Sequence, residues 1–240
     1  MTSQLLCELH AHTTWSDGEL TIHELVDLYG RAGFDVLAIT DHVLRTDETV
    51  RGTTSAVVES TYDAYLEAIQ SEAERAMTQY RLVVVPGLEL TYDDPDPREA
   101  AHALALGLRR FVGLTGGFDR ALEEARNAGA ALIAAHPYAT TDAASAPRAT
   151  GRFAADPDWA AAAVDRFEIC NRFTFFDWVA ELRLPVVATG DFHRPEHLAS
   201  WKTLLPVEQN EQAVVEYLHS TRPAALTVFD PATESLGRAA

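Results

Sequence analysis

The chain has 240 residues, 47% of them hydrophobic, and a formal net charge of −17 at pH 7 with a single lysine, Lys202. That is enough apolar material for a core, yet no run of eighteen apolar residues exists to cross a membrane, and the acidic balance opposes a nucleic-acid polymer, whose binding needs cations to displace counterions. Cys7 and Cys170 lie in apolar runs and form no disulfide framework, and no basic flank precedes a long apolar stretch at the N-terminus, so reduced thiols and a cytoplasmic location are expected.

The first expected strand is Leu5–Leu9, followed by a helix from the cap Thr21 to about Ala32, with Glu24 completing a capping box and Gly33 ending it. Val36–Ile39 is the next strand, and a long loop at about 43–59 comes after it. Ser60 to Tyr80 carries Tyr62, Tyr65, Leu66, Ile69, Ala73 and Ala76 at helical spacing. Strands at Leu82–Val85 and Ala103–Leu106 lead to a helix from Phe118 to Asn127, closed by Gly129, and then to a strand at Ala131–Ala135. A second long loop is expected at about 138–157. Strands at Phe167–Ile169, Val186–Thr189 and Ala225–Phe229 alternate with helices at Phe175 to Leu182 and Glu208 to Leu218. Such alternation predicts an α/β fold with a largely parallel sheet, barrel or open, and one domain over residues 1–240.

His10 and His12 end the first run, and Asp191 and His193 follow a later one. Residues two apart share a face of an extended strand, so each pair is a two-pronged ligand set. His42, Glu89 and His136 also follow strands, as active-site residues do in parallel barrels, whereas His102 begins its run. Imidazoles and carboxylates in this number suit more than one ion of zinc, manganese or iron. Asp41, beside His42, is expected to orient an imidazole, and His23, His197 and His219 are expected to be structural, since nothing in the sequence near them completes a ligand set.

His10-Ala-His12-Thr-Thr-Trp-Ser-Asp17-Gly, Ile39-Thr-Asp-His42, Pro86-Gly-Leu-Glu89, Ala135-His136-Pro and Gly190-Asp191-Phe-His193 resemble the motif series of the PHP (polymerase and histidinol phosphatase) superfamily, over roughly residues 5 to 205. The resemblance implies a single-domain distorted (β/α)7 barrel holding two or three divalent ions. It implies that His10, His12, Glu89 and Asp191 hold one ion, that Glu89 bridges to a second also bound by His102 and His136, and that Asp17, His42 and His193 hold a third. Asp17 stands where some relatives carry a histidine.

Clustered cations lower the pKa of a bound water and clamp phosphate oxygens, so no side-chain nucleophile is needed. The expected activity is metal-dependent hydrolysis of a small phosphorylated metabolite, such as a nucleotide or a sugar or amino-alcohol phosphate, by metal-bound hydroxide. Glu89, Asp191 and His193 are the expected catalytic residues, with Asp191, His193 and a metal-bound water as candidate acids. Arg172, Arg194 and Lys202 are the expected phosphate contacts. The alternatives are an exonuclease-like or phosphotyrosine phosphatase activity, an amidohydrolase, and a non-catalytic metal-binding module.

Overall fold

The computed structural model describes residues 4–45, 55–139 and 150–232. Strand β1 (Leu5–Glu8) pairs in parallel with β2 (Val36–Ile39), and β2 with the first half of a ten-residue strand, β4 (Val83–Tyr92). The chain bends at Thr40-Asp41 and resumes as β3 (His42–Leu44), which pairs with the second half of β4 and sets His42 directly beside Glu89. Strand β5 (Ala101–Leu106) runs antiparallel to both β4 and β6 (Ala131–Ala135). Strand β6 is parallel to β7 (Arg166–Asn171), and β7 to β9 (Val186–Thr189), with a short β8 (Thr174–Phe175) folded back on β7. Strand β10 (Ser200–Leu205) lies antiparallel between β1 and β11 (Ala225–Phe229).

The ring is completed between β9 and β10 by a side chain. Thr203 Oγ1 accepts from the Ala188 N–H (2.9 Å) and donates to the Ala188 carbonyl (2.8 Å). The result is an α/β fold with a distorted, partially closed barrel, mixed in direction rather than largely parallel.

Apolar residues on alternating positions fill both faces of the central strands, as strands buried on both sides require. Val36, Ala38, Val83, Val85, Leu104 and Leu106 join one core. Leu37, Ile39, Val84, Ala103 and Ala105 join another, packed beneath α1 (Ile22–Ala32), α2 (Glu59–Tyr80) and α3 (Phe118–Asn127). Helix α1 begins at the Thr21/Glu24 capping box and ends at Gly33, whose φ of 83° is the left-handed conformation glycine adopts without strain.

Three strands, β3, β8 and β10, escape the sequence pattern. Strand β10 does so because it carries Ser200, Lys202 and Thr203, all fully buried, where an apolar run would be looked for. The expected loop at 138–157 is helical in part. Helix α4 (Arg152–Ala155) leads into α5 (Pro157–Ala163), capped by Asp156 accepting from the Trp159 N–H and begun by proline at its first position. Residues 46–54 and 140–149 of the two expected loops lie outside the described residues. Helices α6 (Asp177–Glu181) and α7 (Glu211–Leu218) are shorter than the sequence pattern. No described helix is long and apolar enough to cross a membrane.

Candidate metal centre

The carboxyl ends of the parallel strands meet at one rim of the barrel, and the antiparallel course of β5 brings its beginning to the same rim. His102 pairs with Thr91, two residues beyond Glu89, so the histidine that parallel topology could not place arrives beside the others. Glu89 lies within β4 rather than at its end. Pro86-Gly87 reads as a strand breaker, but β2 and β3 on one side and β5 on the other carry the strand straight through it. Ala11 and Phe192 form a bridge whose backbone bonds, His12 N–H to the Phe192 carbonyl (2.8 Å) and Phe192 N–H to the His10 carbonyl (3.0 Å), lock the two paired motifs side by side.

All nine expected ligand side chains converge. The Nε2 atoms of His10 and His12 lie 3.0 Å apart, and both face Glu89 Oε2 (3.6 and 3.4 Å) and Asp191 Oδ1 (3.5 and 3.6 Å). The other Glu89 oxygen, Oε1, is 3.1 Å from both His102 Nδ1 and His136 Nε2. Asp17 Oδ1 is 3.1 Å from His193 Nε2, 3.3 Å from His42 Nε2 and 3.8 Å from His12 Nδ1. Three groups of donor atoms result: His10, His12 and Glu89; Glu89, His102 and His136; and His12, Asp17, His42 and His193. Clusters of this composition are consistent with two or three metal ions.

Two oxygens test whether cations fit. Glu89 Oε2 and Asp17 Oδ1 are buried and, among the described residues, have no hydrogen-bond partner, although imidazole nitrogens surround each. A buried carboxylate oxygen without a donor is costly. A divalent cation shared with the facing imidazoles removes that cost, and oxygen with nitrogen is a donor set such cations take. The fit is good.

Charge in the cluster is strongly coupled. Burial alone would raise Glu89, but protonated His42, His10 and His102 hold it well below the usual carboxylate range. Against burial, Glu89 and Asp17 push His42 up to about 10, and Glu89 with Asp93 pushes His102 up to about 9. Asp17 and Asp191 are depressed despite burial, Asp17 by His193 and His42, and Asp191 by His10 and His193. His12 moves oppositely to His10, because burial and its histidine neighbours disfavour a second proton in so small a space.

A cleft of about 450 Å³ opens over the cluster, with Tyr138, Asn171, Arg172, Thr174, Arg194 and His197 among its walls. His136, Arg172 and Asp191 line it with φ of 29°, 53° and 42°. Non-glycine residues in the left-handed region cost on the order of 1–3 kcal/mol each and concentrate at functional sites. The Arg172 guanidinium donates to the Asp191 carbonyl (2.9 Å) and Oδ2 (3.0 Å), and Arg194 is exposed at the rim.

Two expectations are corrected, for Lys202 and Asp41, and His197 has a position the sequence does not indicate. Lys202 does not face the cleft. It is fully buried, with Nζ 2.5 Å from Glu8 Oε2 and 2.6 Å from Ser200 Oγ, because β10 turns it inward to neutralise a buried carboxylate. Asp41 orients no imidazole directly; it accepts from the Thr13 N–H (2.8 Å) and from the hydroxyls of Thr13 (2.8 Å) and Ser16 (2.6 Å), fixing the turn that carries Asp17. His197 lines the cleft. The His193 N–H donates to its Nδ1 (3.1 Å), and burial with nearby Arg172 pushes it down to about 4.

Glu8 and Glu168 were passed over in the sequence. Glu8 Oε1 accepts the N–H groups of Leu9 (3.1 Å), His10 (3.2 Å) and Gly190 (2.9 Å), tying together the two strands that end in paired ligands. The readable signal was a carboxylate inside an apolar strand, Leu-Leu-Cys-Glu8-Leu and Phe-Glu168-Ile-Cys, which burial permits only where donors await it.

A model of the PHP domain matches residues 8–143. The chain belongs to the PHP family. The match takes in His10 through His136, and Asp191 and His193 fall beyond it. Over 93 residues the PHP chain is 30% identical to DNA polymerase/3'-5' exonuclease PolX of Bacillus subtilis (strain 168), a match covering 38% of this chain and 16% of that protein. A two-domain protein containing a predicted PHP-like metal-dependent phosphoesterase from Bacteroides vulgatus ATCC 8482 superposes with a TM-score of 0.67 at 19% identity, covering 94% of this chain and 65% of that one. An amidohydrolase from Chromobacterium violaceum with bound sulfate superposes with a TM-score of 0.51 at 16% identity, covering 95% and 99%. The chain thus spans about a sixth of the PolX relative and under two thirds of the two-domain protein.

Proposed function

We propose that this PHP protein is a metal-dependent phosphoesterase acting on a small phosphorylated metabolite. The observation that carries the reading is Glu89. One oxygen, Oε1, faces His102 and His136, and the other, Oε2, faces His10, His12 and, at 2.7 Å, His42, as a carboxylate shared between cations would. His10, His12, Glu89 and Asp191 would hold one ion, Glu89, His102 and His136 a second, and Asp17, His42 and His193 a third.

Bound divalent ions would supply Lewis-acid stabilisation of phosphate charge and a water acidic enough to attack at neutral pH. Arg172 and Arg194 bring positive charge to a cleft whose walls include Asp17, Glu19, Glu89 and Asp191, and a planar guanidinium suits two oxygens of a phosphate. Asp191 and His193 both face the cleft, but Asp191 is held well below the usual carboxylate range by His10 and His193 and has no proton to give, which leaves His193 and a metal-bound water as the acid candidates. The cleft volume suits a metabolite, and the −17 charge disfavours a polymer.

The PolX match supports a second reading, an exonuclease-like activity. One assay separates them. Protein loaded with zinc, manganese or iron is offered a panel of small phosphomonoesters and a single-stranded oligonucleotide. Phosphate release from a monoester, at a rate unmatched on the oligonucleotide, supports the proposal; stepwise shortening of the oligonucleotide alone replaces it with the second reading.

A further inference from the structure

Strand β7 supplies none of the nine ligand side chains, yet its Glu168 is fully buried directly behind them. Four donors reach its two oxygens. Oε1 lies 2.8 Å from His10 Nδ1 and accepts from the Thr189 hydroxyl (2.6 Å), and Oε2 accepts from the His136 N–H (2.6 Å) and from Asn171 Nδ2 (2.8 Å). Thr189 and Asn171 hold the carboxylate in place, and the other two bonds go to residues of two different ligand groups.

We infer that Glu168 is a positioning residue that orients one ligand of each of two metal ions sharing Glu89. The inference rests on the metal-centre reading above. A carboxylate oxygen opposite Nδ1 makes that nitrogen the N–H of the His10 ring, which leaves the lone pair on Nε2. Nε2 is the atom that faces His12, Glu89 and Asp191. The other oxygen grips the backbone of His136 at its positive φ of 29°, the conformation that turns its Nε2 to within 3.1 Å of Glu89 Oε1.

An amide cannot do both. If Glu168→Gln turns its oxygen toward His10, its NH2 confronts two donors, the His136 N–H and Asn171 Nδ2. If it turns its oxygen the other way, the NH2 donates to Nδ1 and drives the His10 proton onto Nε2, where it blocks ligation.

The test uses zinc-loaded full-length protein labelled with 15N-histidine. Zinc per chain and zinc affinity are measured for wild type and E168Q, and long-range 15N–1H spectra report which nitrogen of each ring is protonated and which is ligated. In the wild type, His10 is expected to be protonated at Nδ1 and ligated through Nε2. In E168Q, affinity at the two ions sharing Glu89 is expected to fall about 10–100-fold, while the signals of His42 and His193 keep their ligated form. Equal affinity and an unchanged His10 ring in E168Q would overturn the inference while leaving the metal centre standing. If E168Q does not fold, the wild-type spectrum decides: His10 ligated through Nδ1 overturns the inference. A wild type that takes up no zinc, manganese or iron is a failure of the metal-centre reading instead, and is recognised before any variant is made.

Discussion

At the scale of single residues, protons and cations compete for the same atoms. His42 and His102 hold protons to about 10 and about 9 because Glu89, Asp17 and Asp93 surround them, and each must release its proton to bind a metal. Metal affinity therefore falls as pH drops below that range, and binding at pH 7 releases protons. Calorimetry in two buffers of different ionisation enthalpy should show it; a heat independent of buffer would contradict it. The sign for chelated protein is the reverse. A histidine whose folded pKa lies above its unfolded value of about 6.5 contributes stability that is complete below that value and fades as pH rises through the folded pKa. Chelated protein should lose stability between about pH 7 and 10, a window read by denaturant midpoints across pH. Lys202→Met removes the partner of a buried carboxylate and should cost about 3–5 kcal/mol in the same measurement, with little effect on the kinetics of the folded fraction.

At the scale of elements, the site depends on where strands bend and stop. Gly190 sits between β9 and Asp191, where a Cβ would meet Glu8 Oε2 and Lys202 Nζ closer than any real contact allows. Gly190→Ala should cost about 1–3 kcal/mol and displace Asp191, so stability and metal content should fall together; loss of neither would show that the Glu8 clasp is loose. The eight strands expected from apolar runs all form, because continuous β-branched and aliphatic stretches have few other fates. Strand β10 was hidden because its inward positions are polar and satisfied by each other, and the helix at Arg152–Ala155 was hidden by Gly151 and Pro157 on either side of a short span. Glu8 and Glu168 were hidden for a related reason. A charge in a strand is silent about its distant partners, and Tyr29, His136 and Lys202 reach these two carboxylates from 21 to 194 positions away.

At the scale of the molecule, the paired ligands were legible because ligand chemistry restricts residue type and strand period restricts spacing, so His-x-His and Asp-x-His could each be read as a unit, whereas Asp17 and His102 rested on the resemblance to the PHP motif series. His102 was not readable from topology alone, since only the antiparallel turn of β5 brings it to the rim. Lys202 was misread because proximity in sequence to Asp191 says nothing about which side of β10 it occupies. The central claim is that Glu89 joins two ions at the mouth of the barrel. Its most direct test is metal content per chain in wild type and Glu89→Gln, measured by elemental analysis after loading and desalting, with circular dichroism confirming the fold. Two or three ions in the wild type and at most one in the variant is the predicted result. The same number of ions in both would contradict it.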